Sequence, residues 1–193
     1  PNADFFLVFG RQGSGYAFAL IPKDAAGLKV VGYKTYDGFV SGDLKLNKCK
    51  AEAVFSSKNA LEILDETIQE AIVCICSEAI GAMEKCYKLT IEYTQQREQF
   101  GQSLSKFQAL QHRMVDMFME TEFTKSFLLK VLATEDASEK TKLIYGLKNQ
   151  VAKAGKKVGE EAVQLHGGMG VTQEMSVGPV SYTHLRAHET KRN

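Results

Sequence analysis

Residues 97 to 111 read REQFGQSLSKFQALQ, set between two long helix-like segments. Arg97 and Gln108 flank a break at Gly101, so both can face one ligand. An arginine forms charge-assisted, often bidentate, hydrogen bonds to phosphate. A glutamine amide both donates and accepts. Taken singly, each residue also has an ordinary reading. Arg97 reads as a surface arginine near a helix end, Phe100 as a core aromatic, Gly101 as a helix stop and Gln108 as a polar position on the next helix. Only the joint pattern points to an anionic ligand.

A second cluster, QLHGGMG over Gln164 to Gly170, follows a helix rather than preceding one. That order separates it from a P-loop and from a Rossmann turn, both of which place phosphate at a helix start. A Gly-Gly-x-Gly run after a helix fits a C-cap and turn. It also fits close backbone approach to a flat or anionic ligand, because glycine carries no Cβ. His112 reads as a packed or surface histidine, or as a residue one step removed from a ligand held by the Gln108 region. Neither His112 nor His166 has a Glu three positions before it; Ala109 and Val163 stand there. The Glu-x-x-His pairs of a carboxylate-bridged metal bundle are therefore missing, and no metal is expected.

These groups need long elements to hold them. From about residue 58 the apolar residues Leu61, Leu64, Ile68, Ile72, Ile75, Ala79 and Met83 fall at steps of three and four, the mark of one helix face. The small residues Ala79, Gly81 and Ala82 should let a neighbouring helix come close. A second helix is expected from about Ser105 to Leu132, carrying Phe107, Leu110, Met114, Met117 and Phe118. A third should run from about Ser138 to Leu165, on Leu143, Leu147, Val151, Ala154, Val158, Ala162 and Leu165. Each spans roughly 40 Å at 1.5 Å per residue, and long helices joined by short links pack as antiparallel bundles. The lysines Lys140, Lys142, Lys148, Lys153, Lys156 and Lys157 lie mainly off the third stripe and read as a solvated face.

Residues 1 to about 54 follow a different period. FFLVFG and YAFALI are short aromatic and branched runs split by the turn-rich RQGSG. LKVVGY and GDLKLNKC follow, giving antiparallel strands too few for a full barrel or sandwich. The fold class is therefore α+β by content and mainly α: a partial antiparallel β domain over 1–54, then a long-helix bundle over 55–178. The last residues, VSYTHLRAHETKRN, follow no pattern before them and read as translated sequencing adapter. Residues 179–193, with His184 and His188, are set aside as an artefact tail.

The 193 residues carry a net charge of +1, too little to suggest a nucleic-acid or anionic-membrane partner. No apolar run approaches the ~18 residues of a membrane span. Cys74 and Cys76 sit roughly 200° apart around a helix and cannot chelate one ion. With Cys49 and Cys86 they read as small buried thiols, kept reduced in a cytoplasmic chain.

Three motifs occur in order: Y-x-x-x-R-x-Q-F-G over Tyr93 to Gly101, FQALQHRMVDM over Phe107 to Met117, and Gln-x-x-Gly-Gly over Gln164 to Gly168. Together they resemble the acyl-CoA dehydrogenase family over nearly all of residues 3 to 178. GYKTYDG, EAIGAME and FQALQHRMVDMF most resemble small-subunit members such as that of pimeloyl-CoA dehydrogenase. The resemblance implies an N-terminal helical domain, absent here, a middle β domain, partial here, and a C-terminal four-helix bundle lacking its last helix. It implies FAD held between β domain and bundle and across a subunit interface. By the same resemblance Arg97, Phe100, Gln108, Gln164, Leu165, His166, Gly167 and Gly168 contact the FAD of a neighbouring subunit. It further implies an acyl-CoA substrate, a homo- or hetero-oligomer such as a dimer of dimers, and an electron-transfer protein as partner.

The family reaction removes a proton from the acyl α-carbon and a hydride from the β-carbon, so a carboxylate base is needed. Most members carry it beyond the Gly-rich segment. Others carry it at the position matching Ala71, where alanine cannot serve. Glu70 is adjacent but turned about 100° around the helix. The family's Asp-x-x-Arg pair near substrate is matched here by Gln69 and Ile72. Two expectations follow: a dehydrogenase subunit whose base lies elsewhere, or a non-catalytic subunit that completes a partner's FAD site.

Overall fold

The computed structural model describes residues 1–35 and 40–171, with the side chain of residue 171 left aside. The chain divides into two compact units, Pro1–Ile68 and Gln69–Asn193. The predicted artefact tail lies outside the described residues.

The first unit is built of antiparallel strands. β1 (Phe5–Gln12), β2 (Gly15–Pro22) and β5 (Ala53–Ser56) form one sheet in the order β1-β2-β5. β3 (Leu28–Lys34) and β4 (Val40–Leu46) form a separate hairpin. β1 and β2 join through the two-residue turn Gly13–Ser14 and keep strict register from Phe5↔Pro22 to Gln12↔Gly15. That register sets Phe9 opposite Phe18, with ring centroids 5.1 Å apart, and stacks it on Tyr16 at 5.3 Å. Aromatic cross-strand neighbours of this kind each add a few tenths of a kcal/mol to about 1 kcal/mol. β5 has no counterpart in the sequence reading. Its four residues, AVFS, are too short to show an alternation.

The helical part has three long elements: α1 (Ala60–Gln96), α2 (Gln108–Ala133) and α3 (Ala137–His166). β6 (Glu98–Gln99) and β7 (Gln102–Ser103) make a minimal hairpin after α1, and Leu104–Lys106 forms a single 3-10 turn before α2. The second helix thus starts later than its periodicity suggested, because Phe107 takes an extended conformation (φ −81, ψ 116). α3 starts where Asp136 accepts a 2.7 Å hydrogen bond from the Glu139 N–H, a side-chain N-cap with an acidic residue in the first turn.

One core joins the three helices. Cys76, Ala79, Ile80, Met83, Cys86 and Tyr87 come from α1, Met114, Met117 and Val131 from α2, and the predicted stripe from Leu147 to Leu165 from α3. The α3 expectation holds along its length. On α1 only the later half of the stripe is buried; Leu61 and Ile68 are exposed. Ala79 is buried as expected, but Gly81 faces open space and mediates no close approach. Phe118, expected on the α2 core face, is about half exposed and meets Tyr87 edge-on at 5.8 Å. Cys74 is exposed, not buried as a small internal thiol would be.

Four threonines are sealed in this core: Thr90, Thr94, Thr121 and Thr124. Each hydroxyl donates to a carbonyl of its own helix, at 2.7 to 2.9 Å. Charged ties between helices sit at the rim, with Arg113 to Glu161 at 2.5 Å and Lys157 to Glu120 at 2.9 Å. Among the described residues, no helix is long and apolar enough to cross a membrane.

Candidate functional site

The helix break around Gly101 is a two-residue hairpin turn. Gln99 pairs with Gln102, and the central residues Phe100 and Gly101 have φ of 55° and 79°. Positive φ at both centres is the type I′ pattern whose twist suits a hairpin. Glycine adopts it without strain; a phenylalanine does not. Phe100 is also 90% exposed, so the expectation of a core aromatic fails. Its one ring contact is edge-on to Phe107, 6.1 Å away across the turn. The hairpin closes where the Leu104 N–H bonds the Arg97 carbonyl at 2.8 Å.

Arg97 directly follows α1, its N–H bonded to the Tyr93 carbonyl at 2.9 Å. Its side chain is exposed, and no carboxylate among the described residues pairs with it. Gln108 is the first residue of α2 and is exposed. No side chain caps that helix start. Its first backbone N–H groups therefore add a partial positive charge beside Gln108. The adjacent Gln111 is used locally, its Nε2 donating to the Ser105 carbonyl at 2.8 Å. His112 is exposed.

At the far end of α3, Gln164 is exposed while Leu165 and His166 are buried. Ligand contact at Leu165 and His166 must therefore run through backbone. Gly167 caps the helix at φ 60, ψ −142, with nothing within 4 Å of where a Cβ would stand. Gly168 is exposed as well.

The two motifs meet through one pair. Tyr93 of α1 stacks on His166 of α3, with centroids 4.3 Å apart and planes 24° from parallel. The Tyr93 hydroxyl donates to the His166 carbonyl at 3.3 Å. One residue along, the Thr94 hydroxyl contacts the Met114 sulfur at 3.2 Å, bringing in α2. The ends of all three helices thus come together, leaving Arg97, Gln108, Gln164 and the glycine bend with exposed polar groups. Tyr93 had been read only as a letter of the motif. Its distance from His166 in sequence hides the contact.

His166 Nδ1 lies 2.8 Å from the Ala162 carbonyl. A carbonyl only accepts, so Nδ1 carries the proton and Nε2 is a bare lone pair. That Nε2 is buried and has no hydrogen-bond partner among the described residues. Burial pushes the imidazole pKa down from its ordinary value, opposed by the Ala162 bond.

Two other features stay apart from this cluster. A groove of about 380 Å³ is lined by Asp116, Met119, Glu120, Phe123, Gln150 and Lys157, none of them in the motifs. Among the described residues, no group of three His, Cys, Asp or Glu side chains could hold a metal ion.

Residues 61–189 match the family described as acyl-CoA dehydrogenase, C-terminal domain. The chain belongs to the acyl-CoA dehydrogenase family. The match runs on into the stretch read from sequence as adapter. The acyl-CoA dehydrogenase IpdE2 of Mycolicibacterium smegmatis is 33% identical over 107 residues, 55% of this chain and 33% of that protein. The fold superposes on butyryl-CoA dehydrogenase from Megasphaera elsdenii with a TM-score of 0.84 at 21% identity, over 96% of this chain and 51% of that one. A structure described as PigA with FAD and proline gives a TM-score of 0.87 at 21% identity, over 97% and 52%. The chain thus spans a third to a half of the proteins it resembles.

Proposed function

We propose that this chain is a subunit of an FAD-dependent acyl-CoA dehydrogenase, forming α,β-unsaturated thioesters from acyl-CoA. The observation that carries the reading is the Tyr93–His166 contact, which joins the arginine motif to the glycine bend. The groups left exposed there fit a flat, anionic dinucleotide. Arg97 would hold phosphate through charge-assisted bonds. Gln108 and the uncapped start of α2 would add an amide and further N–H donors. The open face at Gly167 and Gly168 would let backbone approach the ligand closely. Phe100 would supply an aromatic surface. When bound, FAD supplies the hydride acceptor. These residues bind and orient it and supply no acid or base.

The proposal includes an oligomer in which these groups serve a neighbouring chain, an electron-transfer protein as acceptor, and a reducing cytoplasmic setting, consistent with four free cysteines. Kinship with the pimeloyl-CoA dehydrogenase small subunit belongs to the same proposal. The test uses the full-length chain with its natural partner: bound flavin is quantified, and dye reduction by acyl-CoA is followed. A complex that holds no FAD ends the reading.

One observation favours a second reading, a non-catalytic subunit. Gln69, at the expected substrate-pair position, accepts a 3.0 Å hydrogen bond from the Thr141 hydroxyl, tying α1 to α3. Ala71 offers no carboxylate, and Glu70 is exposed. Normal turnover by the full-length chain without any other subunit would exclude this reading.

A further inference from the structure

The ring of His166 is an oddity among the described residues. It is 97% buried, since only 3% of its surface remains exposed, and its Nε2 has no partner. The Ala162 carbonyl fixes the proton on Nδ1, and the Tyr93 ring covers one face at 4.3 Å. The carbonyl of the same residue takes the Tyr93 hydroxyl, and the next residue is the Gly167 cap. Ring and carbonyl are thus both clamped where the chain turns from helix into bend.

We propose that neutral His166 is a positioning residue: clamped between Tyr93 and the Ala162 carbonyl, it sets the Gly167–Gly168 backbone for a phosphate-bearing dinucleotide, and protonation at Nε2 releases that bend. The inference rests on the flavin reading above for the ligand, and on geometry alone for the clamp. A proton on Nε2 would place a buried N–H and a full charge where no acceptor among the described residues waits, and a buried donor without a partner is costly. The ring must then leave its place on Tyr93. No charged group among the described residues relieves this. From α1 the facing titratable group is Tyr93, with Arg97 one turn on and itself cationic. From α2 and α3, Arg113 and Glu161 are paired with each other. The neutral state is therefore the one the fold selects, in line with the lowered pKa.

The sign follows. Because the folded pKa lies below the ordinary 6.5, the contribution of the clamp is complete above that value and is lost as pH falls through the folded pKa.

Two measurements on the full-length assembled protein test this. Nitrogen-15 labelling of histidine reads the ring directly and needs no cofactor. A single Nδ1–H tautomer with a bare Nε2, titrating below the ordinary value, is expected. A ring that exchanges tautomers, or titrates at or above 6.5, overturns the proposal. Flavin retention is then followed between about pH 7 and about pH 5 in the wild type and in His166→Phe, which keeps a ring on Tyr93 but cannot titrate. A loss of about tenfold in the wild type, for each unit by which the pKa is lowered, and a flat profile in His166→Phe are expected. Matching profiles in the two proteins overturn the positioning role. A wild type that holds no flavin at any pH, with the expected ring titration, sinks the flavin reading and the ligand half of this proposal and leaves the clamp standing.

Discussion

Arg97, Phe100 and Gly167 make separable predictions at the scale of single side chains. Replacing Arg97 with lysine keeps the charge but loses the planar fork. Flavin affinity of the assembled protein should fall about tenfold, or 1.4 kcal/mol, with the thermal midpoint unmoved. Phe100 holds a left-handed conformation at φ 55 and gains little from burial. Phe100→Gly should therefore stabilise the fold by about 1 kcal/mol in denaturant titration, while flavin binds less tightly. A mutant that is both destabilised and unaffected in flavin affinity would show the ring to be structural. Gly167 at φ 60, ψ −142 tolerates no side chain although the space is open. Gly167→Ala should cost about 1–3 kcal/mol from backbone strain alone. At Gly168, also in open space and without a positive φ, alanine should change stability by less than about 0.5 kcal/mol.

At the scale of elements, the α3 stripe and the glycine cap that ends it are where sequence reading succeeded. α3 was legible because its apolar residues keep one face from Leu143 to Leu165, with the lysines mainly off that stripe. α1 was half legible. Its periodicity continues through Leu61 and Ile68, yet both are exposed, because period reports a face and not whether anything covers it. The joint role proposed for Arg97 and the glycine bend was readable only through resemblance to a family. The Tyr93–His166 contact that joins them was not readable at all, since it depends on how α1 and α3 align. Phe100 was misread because an aromatic residue normally signals core, and the turn geometry that pushes it outward is set by Gly101 and the hairpin pairing. Two element-level tests follow. Asp136→Ala removes the only side-chain cap seen on α3 and should cost about 1 kcal/mol. Leu147→Ala, at a fully buried position of the helical core, should cost about 3 kcal/mol. Both are read from urea midpoints.

The molecule as a whole can be probed through its thiols. Burial pushes Cys86 from 9.0 up to about 12 and raises Cys76 as well, with Lys148 pulling the latter partly back. A short maleimide pulse at neutral pH should label Cys74 and spare Cys76 and Cys86 until the helical core opens, as mass spectrometry of peptides will show. The same raised value sets an alkaline limit. The folded state keeps the Cys86 proton where the unfolded chain gives it up, so the contribution of this thiol to stability should be constant below about pH 9 and decline toward about 12. The sealed threonines carry a different consequence. Each of their hydroxyls donates within its own helix, but two also reach across to a neighbour: Thr94 contacts the Met114 sulfur at 3.2 Å, and Thr124 accepts from Gln150 Nε2 at 3.5 Å. Axial alignment therefore rests on these buried uncharged contacts and on apolar shape, with the rim ion pairs adding little, so raising ionic strength should leave both the sliding order of the helices and their helicity unchanged.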